Sequence, residues 1–318
     1  MRRIFVSRPS HSGTWFAASV VSLVLGMLLG AAQAAVEVVD DTGRTVRLEA
    51  PARRVIPLYG AFAEMLYAIG AGSAVAGRTQ ADTYPPEITR LPSVGTHMRP
   101  NVEMILGLKP DLVVQSASRR SADPETARLA EAGIPVVVFA PRDFDGVFSA
   151  MERLGILTGT AENARRVVED LRRRLDAVRS RCAGVSERPR LVFEIRADPL
   201  AVAGRGGMPQ AVMEAVGAVN AVALPDPIVQ TSVENILALD PDGYIVQKGP
   251  MNPSPGLPQQ RPHFDRLRAV RSGRVFMVDE ALYSRPGPRA VEAAEDLARR
   301  LYPSVFPSSE PNPAALPP

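Results

Sequence analysis

Chemistry that depends on imidazole or thiolate has few residues to draw on in this chain. Its 318 residues include three histidines and one cysteine, and His11 falls in an N-terminal stretch that reads as a leader. His97 and His263 are too few for an imidazole-rich metal centre, although a lone neutral imidazole such as His97 is a good metal donor. Cys182 has no disulfide partner and continues the apolar register of a helix, which marks it as a structural, half-buried thiol. There is no G-x-S-x-G, no P-loop and no G-x-G-x-x-G between a strand and a helix. Gly204-Arg205-Gly206-Gly207 is too short for a dinucleotide fingerprint. These residue types argue for binding over catalysis, with no resident metal.

The elements that would position a binding site show through a repeat. Val102-Glu103-Met104-Ile105-Leu106-Gly107-Leu108-Lys109-Pro110-Asp111 returns as Val233-Glu234-Asn235-Ile236-Leu237-Ala238-Leu239-Asp240-Pro241-Asp242, identical at seven of ten positions. Each copy reads as a short helix closed by a Pro-Asp turn that feeds an apolar strand, Leu112-Val113-Val114 or Tyr244-Ile245-Val246. Two copies with a long helix between them predict two pseudo-equivalent lobes facing a cleft.

Arg2, Arg3 and Arg8 precede the apolar run 16–32 and the small-residue exit Ala32-Gln33-Ala34, the pattern of a secretory signal peptide over residues 1–34 cleaved near Ala34. The leader holds three of the 37 basic residues and no acid, so 34 bases face 34 acids in the mature chain. That balance gives no support to nucleic-acid or anionic-membrane binding. The arginines at 165, 166 and 172–174 alternate with acids, as on a solvated helix face.

Residues 35–158 alternate strands and helices, which predicts an N-terminal α/β lobe with a largely parallel sheet. The longest helix is expected over 159–184. Thr160 would cap it, and Ala164, Val167, Val168, Leu171, Leu175, Val178 and Cys182 form one apolar stripe. Residues 185–302 repeat the α/β pattern, and the Pro-rich stretch 303–318 reads as a disordered tail.

The chain resembles the periplasmic substrate-binding proteins of ABC importers for iron chelates, haem and cobalamin. The resemblance covers about residues 36–302. It rests on Asp41-Thr42-Gly43-Arg44, Pro51-Ala52-Arg53-Arg54-Val55, Asp82-Thr83-Tyr84-Pro85-Pro86, the two repeat copies, and Tyr283-Ser284-Arg285-Pro286-Gly287-Pro288-Arg289. It implies an α/β fold of two Rossmann-like lobes joined by a long rigid backbone helix, a ligand in the cleft between them, and a periplasmic, monomeric protein without catalysis. It also implies an ABC permease and its ATPase as partners, docked through Glu103 and Glu234.

Cobalamin-binding members cradle the ligand with bulky aromatics, and the matching places fall near Tyr84, His97 and Ile228. Tyr84 keeps an aromatic there. The mature chain has no tryptophan, since Trp15 lies in the leader. Tyr59, Gly60, Arg78, Arg99, Arg205, Tyr283 and Arg285 are the remaining cleft candidates, the arginines for clamping anionic oxygens. Thinned aromatics and retained arginines favour an anionic ferric siderophore as the transported ligand, with cobalamin or haem as the alternatives. A sensor that binds ligand and docks to a receptor kinase is a third reading.

Overall fold

An arginine and an aspartate open each lobe in the same manner. In the first, Asp111 accepts the backbone N–H groups of Arg53 and Arg54 at 2.8 and 2.9 Å, and the Arg54 guanidinium reaches back to the Leu108 carbonyl. In the second, Asp242 accepts the N–H of Arg190 at 2.8 Å, and the Arg190 guanidinium reaches Leu239. Lys109 and Asp240, each preceding the proline, both take left-handed φ values of 48° and 37°. A residue before proline is steered away from the right-handed helical region, so each copy stops its helix there and turns its aspartate onto the lobe's first strand.

The computed structural model describes Met1, residues 34–117 and residues 124–307. The expected signal peptide up to residue 33 and the stretch 308–318 lie outside the described residues. Hairpin β1 (Val36–Val39) and β2 (Thr45–Leu48) comes first. The first lobe then runs β3 (Val55–Pro57), α1 (Gly60–Ala68), the short pair β4 (Gly95–Thr96) and β5 (Arg99–Pro100), and α2 (Val102–Gly107). It continues with β6 (Leu112–Ser116), α3 (Pro124–Glu131), β7 (Val136–Phe139) and α4 (Phe144–Thr158). Its sheet is parallel in the order β3-β6-β7, extended by a single bridge from Val55 to Val75.

Next comes α5 (Ala161–Ala183), the predicted long helix. The second lobe follows with β8 (Arg190–Ala197), β9 (Leu200–Ala203), α6 (Met208–Ala215), β10 (Val219–Asn220), β11 (Ile228–Gln230), α7 (Val233–Leu239) and β12 (Gly243–Lys248). It ends with α8 (Arg268–Arg271), β13 (Val275–Asp279), α9 (Glu280–Tyr283) and α10 (Ala290–Leu301). Its sheet runs β11-β9-β8-β12-β13, with β10 also on β8. β9 and β11 run antiparallel, which the helix–strand alternation does not reveal.

Helix α4 is absent from the sequence reading. It is fixed locally by Asp143, whose side chain caps the Gly146 N–H, and by Gly159, which ends it at φ 72°. The expected Thr160 cap on α5 does not form; the hydroxyl pairs with that of Thr158 at 3.0 Å. The apolar stripe of α5 is buried as predicted, and Cys182 is fully inside, its thiol pushed up by burial.

That stripe packs on α4 in the first lobe and on α6 and α10 in the second. One apolar cluster therefore runs continuously from the hairpin through α5 into the second lobe, with a smaller cluster on the far face of each sheet. The cores of the two lobes are thus joined on one side. Arg174 of α5 adds a two-pronged bond to Glu295 of α10, both contacts at 2.9 Å. Packing also continues past residue 302: Phe306 is buried, with the Arg181 guanidinium 4.0 Å above its ring. The tail expected from residue 303 thus has folded chain in its first residues.

Candidate functional site between the lobes

In open α/β sheets, ligands meet the carboxyl ends of the parallel strands, where loops leave for the helices. Here β3 delivers Leu58, Tyr59 and Gly60 to that edge, and Gly60 starts α1. The β4–β5 turn brings His97 alongside. Its Nδ1 lies 2.9 Å from the Leu58 carbonyl oxygen, and its ring sits 4.7 Å from that of Tyr59 at a 35° tilt. Burial pushes the Tyr59 phenol up to about 12, so the group stays protonated at neutral pH. Tyr59 and His97 form one half-buried surface, while the expected cleft residue Gly60 is itself buried.

The second lobe meets this surface through charges. Glu64 of α1 is buried among apolar residues and receives the Arg285 guanidinium at 2.8 Å and both prongs of Arg289 at 2.9 Å. Arg289 also lies flat over the Tyr84 ring, 3.9 Å from its centroid. Asp82 stands beside the cluster: a Cβ built on Gly60 would come within 2.6 Å of its Oδ1 and 2.8 Å of Arg285 Nη1. Glycine at position 60 is what lets the two lobes approach this closely. Burial raises the Asp82 carboxyl above its ordinary range, against the hydrogen bond from Thr79.

A cavity of about 580 Å³ reaches the cluster from the side of α5, with Glu64, Tyr67, Tyr84, Arg174, Arg289 and Glu292 among its walls. Of the ten cleft candidates only Tyr84 lines it, so it is distinct from the Tyr59–His97 surface.

Several expected roles need correction. Tyr283 is 1% exposed, stacked on Phe193, and donates its hydroxyl to Asp296 at 2.6 Å. It is a core residue and cannot face a ligand. Arg285 is consumed by Glu64. Arg78 folds onto its own loop, its Nη1 donating to the Thr79 carbonyl at 3.0 Å. Arg99 is exposed at the base of the β4–β5 turn.

Arg205 and Ile228 are exposed at the β9–β11 edge, where Ile228 pairs with Ala203. The glycines beside Arg205 serve packing: Cβ atoms on Gly204 or Gly206 would strike the carbonyls of the 224–227 segment. Glu64, Asp82 and Arg289 went unrecognised as site residues. Glu64 carried the one legible signal, a lone acid in the middle of an apolar helix.

Glu103 and Glu234 occupy the first turns of α2 and α7, which are capped by Asn101 and Ser232. Both carboxylates are exposed. Glu103 is held by Arg128 at 3.0 Å. The Glu234 carboxyl is lowered, chiefly by the Ser232 hydroxyl.

With this geometry in view, the comparisons agree. A family model described as periplasmic binding protein matches residues 55–282. An ABC transporter substrate-binding lipoprotein of Bacillus subtilis is 30% identical over 272 residues, covering 84% of this chain and 85% of that protein. Among solved structures, the periplasmic vitamin B12 binding protein of Vibrio cholerae superposes with a TM-score of 0.69 at 25% identity, covering 81% of this chain and 99% of the other. A periplasmic haem-binding protein from Pseudomonas aeruginosa gives 0.71 at 26% identity, covering 80% and 94%.

Proposed function

Because the chain belongs to the periplasmic binding protein family, and is therefore the non-enzymatic, extracytoplasmic substrate-binding component of an ABC importer, we propose that its cargo is a cobalamin-class corrinoid. The observation carrying this reading is the state of the interlobe arginines. A ferric siderophore with anionic oxygens is held by guanidiniums that are free to form charge-assisted bonds. Arg285 and Arg289 are already spent on Glu64, and Arg78 on its own loop carbonyls. A surface made of Tyr59 and His97 suits a bulky, amide-rimmed macrocycle held by contact area and hydrogen bonds.

The likeness to a vitamin B12 binding protein supports the same choice. Haem is the second reading, favoured by the haem-binding relative and by the imidazole on the same surface. The anionic siderophore favoured by composition loses one of its expected clamps once Arg285 is paired, while Arg99 and Arg205 stay exposed.

In this reading the leader directs export to the periplasm. Residues 35–158 and 185–302 act as two lobes around the 159–184 helix, and Glu103 and Glu234 dock them onto the permease. Calorimetric titration of the purified mature protein with cyanocobalamin, haemin and a ferric hydroxamate tests the cargo. Corrinoid binding in the micromolar range or tighter is expected, changing less than about tenfold in Arg285→Ala. Tight ferric hydroxamate binding with no corrinoid heat would overturn it.

A further inference from the structure

Glu194 lies in the middle of β8, the central strand of the second-lobe sheet, with Val202 of β9 and Val246 of β12 beside it in register. Its side chain is 0% exposed. A carboxylate taken wholly out of water needs a cation and hydrogen bonds to stay charged. The Tyr244 hydroxyl donates to its Oε2 at 2.7 Å, and the Arg261 guanidinium grips both oxygens, Nη1 on Oε2 and Nη2 on Oε1 at 2.8 Å. The same Nη2 donates to the Gly256 carbonyl at 2.8 Å, and the Phe264 ring backs the guanidinium at 5.4 Å.

Arg261 therefore ties a loop to the core. Residues 249–262 leave the carboxyl end of β12 and hold five prolines, which stiffen the backbone but supply no N–H for a ladder. Near the start of the loop the Asn252 side chain donates to the Gln247 carbonyl at 2.9 Å, and the Met251 N–H donates to Glu280 at 2.8 Å. Along 253–256, the bond from Arg261 to Gly256 is the only hydrogen bond among the described residues. The carboxyl ends of parallel strands are where such sheets meet ligands. Glu280 is also close enough to the first lobe to bear on the Tyr59 phenol, so the loop starts on the side of Tyr59 and His97. It exposes two large apolar side chains, Met251 and Leu257. A buried ion pair contributes little stability over an apolar core; what this one supplies is a fixed place for the loop.

We propose that Arg261 is a positioning residue of the cargo site: its joint hold on Glu194 and Gly256 presets the 249–257 loop as an apolar wall of the second lobe, so that cargo binding need not order it. The inference rests on the corrinoid reading, which supplies the probe, cyanocobalamin.

Arg261→Ala would strand a buried carboxylate, so the test uses the double variant Glu194→Gln/Arg261→Met, which leaves no charge behind. By hydrogen exchange with mass spectrometry, the 251–257 segment of wild type should exchange slowly with or without cyanocobalamin. In the double variant it should exchange at least about tenfold faster, and saturating cyanocobalamin should slow it again. Calorimetry should show cyanocobalamin bound about tenfold more weakly by the double variant. Arg261→Lys keeps a cation for Glu194 but lacks the planar fork that also reaches Gly256, and should show the same two changes with the ion pair retained. Unchanged affinity in both variants, or a loop that cyanocobalamin leaves in fast exchange, would refute the positioning role and leave the corrinoid reading standing. So would a loop that stays protected in the double variant. No heat from wild type would overturn the corrinoid reading and this proposal with it.

Discussion

Replacing Glu64 by alanine should be among the most damaging single changes in this protein, and the reason is electrostatic. The Glu64 side chain is 1% exposed, and those of Arg285 and Arg289 are 14% and 18% exposed. Removing the shared carboxylate leaves two guanidiniums at the lobe junction without the acceptor of their hydrogen bonds. Breaking a buried pair from one side costs about 3–5 kcal/mol. The residual solvent access of both arginines places this case at about 3 kcal/mol, a drop in Tm of roughly 5 °C for a protein of this size.

Urea and thermal unfolding, followed by circular dichroism, measure the loss. The decisive comparison is the triple variant with Glu64, Arg285 and Arg289 all replaced by alanine. It should be more stable than Glu64→Ala alone, because no charge is left uncompensated. A Glu64→Ala loss below about 1 kcal/mol, or a triple variant less stable than the single, would refute the reasoning.

Further expectations concern other parts of the chain. Burial pushes the Asp40 carboxyl up, but hydrogen bonds from Thr42 and Arg44 outweigh it and hold it below its ordinary 3.8. Its stabilising contribution is therefore present above 3.8 and lost as pH falls further. Asp40→Asn should cost about 1–2 kcal/mol at neutral pH, and the gap to wild type should close in acid unfolding curves below 3.8. Gly204→Ala would drive its Cβ into the carbonyls of Leu224 and Asp226, so a loss of about 1–3 kcal/mol is expected in the same unfolding assay. Reversing Glu103 and Glu234 to arginine should abolish uptake in cells while calorimetric affinity for cargo stays within about twofold; normal uptake by the double variant would remove both from the docking surface.

The sequence alone determined the lobes, because the information that builds them is local. A Pro-Asp turn, a short helix and a β-branched run specify a helix–strand unit wherever they occur, and the repeat places two of them. The α5 stripe is equally legible, since helical spacing in one segment is enough to define a buried face. Glu103 and Glu234 stand out for the same reason: the first turn of a capped helix is a local feature.

The state of the cleft was not legible, since it depends on residues far apart in the chain. Arg285 and Arg289 look like free cations until folding sets them against Glu64, more than two hundred positions earlier. Tyr283 looks like a cleft aromatic until α10 brings Asp296 to its hydroxyl. The His97 ring is oriented only because β3 presents the Leu58 carbonyl to its Nδ1. Local patterning fixes which surfaces exist, whereas pairing between the lobes consumes some charges and leaves others exposed. Only the tertiary structure could make that division.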